Sequence, residues 1–200
     1  MSRAFTVFAV LLVSACSVLP EQAPVDLFQL PAPSVQAATG GPRLSTLRID
    51  RALSSEALSG SRLLIMTADN QFQAFPSMRF AAPVPLLWRD WLLDAFWRDG
   101  RVSGLSAASE GLQSEFELVG TLRAFQVDYS GSQAAAVIQY DATLIDTDGR
   151  RILASRRFEA RQTLDTVEAA IAISALGLAA DRVAAQLIEW VILQGQTPSP

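Results

Sequence analysis

The chain has 200 residues, 50% of them apolar, which is enough to bury one ordinary core and excludes disorder over most of its length. All 16 cationic side chains are Arg, against 20 Asp plus Glu, and a net charge of −4 gives no phosphate-neutralising surface, so no nucleic acid is expected as a partner. With no His and one Cys, the chain lacks a Ser-His-Asp or Cys-His couple, the usual zinc donors and an intramolecular disulfide, so no cofactor, metal or catalytic residue is expected.

At the N-terminus, Arg3 precedes an apolar run over residues 5–13 and the small pair Ser14 and Ala15. That is the order of a secretory signal peptide, and the run is far short of the ~20 residues a spanning helix needs. The single Cys follows at once, in Leu12-Val-Ser-Ala-Cys16, which resembles a bacterial lipobox. A lone free thiol would be a liability in an oxidising compartment, whereas a diacylglyceryl group on Cys16 gives it a role. Two or three acyl chains, at about 0.8 kcal/mol per buried methylene, hold a protein on a bilayer almost permanently. Residues 1–15 are therefore expected to be removed and Cys16 to be lipidated. Ser17, in place of Asp, resembles the outer-membrane address of enteric lipoproteins, so the outer membrane is favoured over the inner one.

Residues 17–24 read as a short tether, residues 26–30 as a candidate first strand, and the Pro, Ala and Gly-rich residues 31–42 as a separator, making 16–42 one unit before a domain over 43–193. Strands are expected over 43–49 and 62–68, with Asp69-Asn70 turning the latter back into 71–75 as a hairpin. Residues 52–60 read as a loop. From residue 84 to 99 the apolar period changes to 3.6: Leu87, Trp88, Trp91, Leu92, Ala95 and Phe96 share one face, opposite Asp90, Asp94 and Arg98. Pro85 suits the first turn and Gly100 the far end.

Three strands follow, over 114–128, 133–146 and 151–164, with short links that require antiparallel neighbours. Phe116, Leu118 and Leu122 have one parity and Phe125 and Val127 the other, which predicts a bulge near Ala124. The last element, 166–193, is long enough to span a bilayer, but Glu168, Asp181, Arg182 and Glu189 interrupt it. It reads instead as an amphipathic helix on the sheet, with Gly177 marking a candidate break, and 194–200 as a frayed tail. The expected fold is α+β, a mostly antiparallel sheet with two helices on one face, one side covered and the other wet.

Three segments carry a resemblance over most of the mature chain. They are Arg79-Phe-Ala-Ala-Pro-Val-Pro-Leu-Leu87, leading into a helix that closes with Arg98-Asp-Gly-Arg101; Phe116-Glu-Leu-Val-Gly-Thr-Leu-Arg-Ala-Phe125; and Ile152-Leu-Ala-Ser-Arg-Arg-Phe158 before an Ala-rich helix with Trp190. In this order, behind a lipobox, the chain resembles the ABC-type transport auxiliary lipoproteins, the PqiC-like group. Phe80 and Ala82 stand where that family usually has Trp and an acidic residue. The resemblance implies a non-enzymatic subunit of a lipid transport system, anchored in the bacterial envelope through Cys16, facing the periplasm, docking an MCE-domain protein and a candidate homo-oligomer. ATP hydrolysis would belong to a partner, since no Gly-x-x-x-x-Gly-Lys occurs. The alternative is a periplasmic lipid- or lipoprotein-binding chaperone.

For a partner surface, Trp97 lies off the main apolar helix face, and Arg151, Arg157 and Arg161 cluster on the last strand. Asp146 and Asp148, beside Gly149, read as turn residues.

Overall fold

Local sequence and packing agree best in the long C-terminal strands, and the rest of the chain is arranged around them. The computed structural model describes residues 25–76 and 78–196; the expected signal peptide, Cys16, the whole of the expected tether and the last four residues lie outside the described residues. Strands β1 (Asp26–Phe28), β2 (Leu44–Ile49), β3 (Leu53–Ser54), β4 (Leu64–Met66), β5 (Phe72–Ala74) and β6 (Met78–Phe80) precede helix α1 (Val84–Asp99). After it come β7 (Val102–Ala107), β8 (Phe116–Asp128), β9 (Ala135–Asp146), β10 (Arg151–Thr163) and helix α2 (Ala169–Gly195).

The main sheet runs β10-β9-β8-β2-β7, and the β8-β9-β10 meander and the β4-β5 hairpin are antiparallel. The expectation of a mostly antiparallel sheet does not hold. β2 pairs in parallel with β7 and β8, β3 and β4 pair in parallel with β8, and β1 pairs in parallel with β6 in a separate ribbon. The physical reason is connection length. Short links enforce antiparallel pairing in the meander, but β2 reaches β7 only through α1, a crossover that returns the chain in the same direction. One edge of β8 accepts three partners in turn, β2 at Phe116, β3 at Thr121 and β4 at Gln126. Residues 52–60, read as a loop, thus contain β3 and a single 3-10 turn, Glu56–Leu58.

The predicted bulge is present. The β8-β9 register shifts between Leu122 and Ala124, which lets Leu122 and Phe125, three residues apart, both point into the core. Inward-facing Leu122, Tyr140 and Phe158 stand side by side across β8, β9 and β10. Trp88 of α1 meets Phe125 and Tyr140 edge-on, while Trp190 of α2 meets Phe158 in the same manner. Both helices therefore cover one face of the sheet. Gly120 is required there, because a Cβ would strike the Tyr140 ring and the Asp141 carbonyl.

Helix α1 spans the predicted residues, with Pro in its first turn, a left-handed Gly100 closing it and an Asp94–Arg98 pair at 3.0 Å on the outer face. Helix α2 is continuous through Gly177. It is long and apolar enough to cross a membrane by length and composition, yet it is mostly buried against β9 and β10.

The charges that interrupt α2 explain its place. Asp181 accepts hydrogen bonds from the backbone N–H and hydroxyl of Ser34, at 2.9 and 2.6 Å. Arg182 donates to the Arg161 carbonyl and to Gln162. Glu189 accepts from Arg101.

Residues 31–42, read as a separator, are instead a strap laid along the groove between the helices. The Pro31 carbonyl accepts a 2.8 Å bond from the Trp91 indole, and its ring sits on Gly177, where any Cβ would collide with it. Lower down, the Ala38 N–H donates to the Asp99 carbonyl, and those of Arg43 and Leu44 donate to the Arg101 carbonyl.

Candidate functional site

The expected partner residues fall on opposite edges of the domain. Trp97, 72% exposed, lies on the side of α1 that turns from the core toward β7. With Leu93, Leu105 and Ala107 it forms the apolar part of a cleft of about 260 Å³, rimmed by Asp94 and Glu110. β7 pairs with β2 on its inner side and with no other strand among the described residues, so its outer backbone groups are open beside Trp97.

Arg157 and Arg161 stand at the far side, on the polar outer face of the sheet, where β10 is the other edge. Arg157 holds Asp141 through Nε and Nη2 at 2.5 and 2.8 Å, Arg123 reaches the same carboxylate at 2.9 Å, and Arg161 pairs with Asp128 at 2.7 Å. Arg151 sits at the turn, 3.6 Å from Asp146. The four predicted surface residues therefore do not converge, and the three arginines are committed to neighbouring carboxylates. Arg156, on the helix-facing side of β10, has no ion pair among the described residues. Its guanidinium lies 5.0 Å from the Phe158 ring centre, at a groove of about 520 Å³ shared with Trp190 and Glu189.

The Arg157 guanidinium, seconded by Arg123, pulls the Asp141 carboxylate down to about 2 against its burial. A carboxylate whose folded pKa is depressed adds stability above its unfolded value, near 3.9, and loses it as pH falls toward the folded value. Asp141→Asn is therefore expected to unfold more easily than wild type at neutral pH, with the difference closing between about pH 4 and pH 2. Urea midpoints measured across that range check this. A difference that does not change with pH would mean that the carboxylate's charge is not what Arg157 stabilises.

A third cluster was not foreseen. Asp99 is 4% exposed, and its two oxygens take 2.8 Å bonds from Nε and Nη2 of Arg101, whose Nη2 also donates to Glu189 at 2.6 Å. Both carboxylates hold Arg101 charged well above its ordinary value, and Arg101 draws Glu189 down. No local pattern pairs residues 99 and 101 with 189.

Among the described residues no group of three or more potential metal-ligating side chains occurs. Fold and surface define a two-layer α/β domain whose accessible features are edges, faces and a docked N-terminal strap. The model of the ABC-type transport auxiliary lipoprotein component matches residues 28–188, and the chain belongs to that family. It thus shares a family of lipoproteins associated with ABC transporters, as the resemblance in its sequence implied. A crystal structure of protein XCC0632 from Xanthomonas campestris is similar over 86% of this chain and 97% of that one, with a TM-score of 0.77 and 21% identity. A second crystal structure, of an uncharacterized protein, covers 84% of this chain and 99% of its own at a TM-score of 0.65 and 18% identity. At such identities the likeness is one of fold. The uncharacterized protein bll6063 of Bradyrhizobium diazoefficiens is 26% identical over 156 residues, 76% of this chain; the chain spans 42% of the length of that relative.

Proposed function

We propose that this chain is a non-enzymatic subunit of an ABC/MCE-type lipid transport system, anchored by acyl chains on Cys16 and facing the periplasm from the outer membrane. The observation that carries the reading is the family match over residues 28–188, which begins twelve residues after the Cys of a lipobox-like sequence. In this reading residues 1–15 are cleaved, Cys16 bears the lipid, and the domain is an adaptor. The two open sheet edges, one beside Trp97 and the other beside Arg156, are the surfaces offered to an MCE-domain protein and to further copies of the chain. Their chemistry suits protein contact: unpaired backbone groups next to an aromatic anchor or a cation.

The test is isolation of the processed protein from envelopes after crosslinking. Mass spectrometry is expected to find a chain that starts at an acylated Cys16 and copurifies with a permease, an ATPase or an MCE-domain subunit. Cys16→Ser should leave the domain folded and release it from the membrane fraction. A bare thiol would remove the anchor, and recovery without any transporter subunit would remove the transport role. Acyl chains extracted from the folded domain itself, beyond those on Cys16, would favour the lipid-binding chaperone instead.

A further inference from the structure

The strap fixes which end of the domain the N-terminal chain enters. It runs in the direction of α2, with Pro31 at Gly177, Ser34 at Asp181 and Leu44 against Gly195. Leu44 is also the register partner of Val102, three residues beyond the end of α1. Both helices therefore finish at one end of the domain and begin at the other, and the chain enters where they begin. At that same end β8 finishes, β9 starts, β10 finishes, and the β4-β5 hairpin turns.

That end carries exposed apolar groups from separate elements. Leu27 of β1 is 71% exposed, Tyr129 after β8 is 55% exposed and Phe72 of β5 is 43% exposed, with Ile171 at the start of α2. Phe72 and Tyr129 flank one residue: Met66 is the register partner of Phe72 and accepts a 2.7 Å bond from the Tyr129 N–H.

We propose that this end, with Phe72, Tyr129 and Leu27 at headgroup level, is the face the domain rests on the bilayer. The inference rests on the acyl anchor proposed above. Ten peptide steps separate Cys16 from Asp26, a reach of at most about 33–36 Å. The opposite end also exposes apolar side chains, Leu112 and Ile152, but it lies the length of a 12-residue strand away, about 36 Å. To set that end on the membrane, all ten steps of the tether would have to be drawn out to their full stretched length, at the largest cost in chain entropy.

Resting on the near end needs little intrinsic affinity. A short tether supplies an effective concentration on the order of mM, so the patch sets orientation and the lipid chains hold the protein. Phenyl and phenol rings suit that depth, one end apolar and the other wet. Charge selects the kind of surface. Asp26, Asp69, Asp165 and Glu168 outnumber Arg62 and Arg79 here, and none is ion-paired among the described residues, so a zwitterionic surface fits and an anionic one is repelled.

The test places the photocrosslinker p-benzoylphenylalanine at Phe72, Tyr129 or Ile152 of the acylated full chain, in vesicles of phosphatidylcholine and phosphatidylethanolamine. Positions 72 and 129 are expected to capture lipid several-fold more than position 152. Phe72→Ser with Tyr129→Ser should lower capture by a crosslinker at Leu27 several-fold, with the circular dichroism spectrum unchanged. Equal capture at all three positions, or an excess at 152, overturns the orientation. Mass spectrometry of the same sample reads the anchor separately: with a bare Cys16, the functional reading fails, and coupling that thiol to a maleimide lipid restores the tether and tests the orientation alone.

Discussion

Arg101→Ala is expected to destabilise the domain by about 3–5 kcal/mol, the usual loss when one member of a buried ion pair is removed. The magnitude comes from what stays behind. Asp99 is inside the protein with both oxygens committed to the Arg101 guanidinium, and alanine leaves its charge with only the backbone N–H of residue 101, at 3.3 Å, as a partner. Glu189 is different: its side chain is 68% exposed, so solvent takes over when Arg101 goes, and Glu189→Gln is expected to cost under about 1 kcal/mol. Removing both buried charges together, with Asp99→Asn and Arg101→Met, should recover most of the loss, since a well-packed apolar substitute often matches a buried pair. Denaturant unfolding of the three variants decides the matter. If Arg101→Ala fell within about 1 kcal/mol of wild type, water would have to reach Asp99. The same substitution should expose residues 31–42 to proteolysis, because the backbone at Asp99 and Arg101 holds the lower end of the strap.

Trp88→Ala should cost about 3–5 kcal/mol, the range for emptying a buried large aromatic site. Trp88 is fully buried, stacked on Trp91 at 5.7 Å and set edge-on to Phe125 and Tyr140, so it joins α1 to two strands. Its indole N–H has no acceptor among the described residues. Trp88→Phe therefore loses volume but no hydrogen bond, and is expected to cost far less than the alanine change. Thermal or urea unfolding distinguishes the two. A Phe variant as unstable as the Ala variant would mean that the N–H has a partner after all, such as an ordered water.

Legibility in the sequence followed the range of the interactions. Trp88, Trp91, Leu92, Ala95 and Phe96 declared a helix and its buried face because a 3.6-residue period is local. The bulge between Leu122 and Ala124 was readable because the parity of apolar residues changes within one strand. β7 was missed: Val-Ser-Gly-Leu-Ser-Ala has little apolar alternation, and it is a strand because α1 delivers it beside β2. Arg151, Arg157 and Arg161 looked like an unattached basic cluster, since the carboxylates that engage them lie on β8, on β9 and at the β9-β10 turn.

By itself the sequence determined the class of the chain: the candidate anchor at Cys16, the long antiparallel meander, the two helices and the absence of His-based chemistry. These depend on composition and on spacings of a few residues. Only the tertiary structure decided that the N-terminal strands join in parallel, that residues 31–42 are a docked strap, and that Asp99, Arg101 and Glu189 meet. Each of these joins residues tens of positions apart through a packing geometry that no short window of sequence contains.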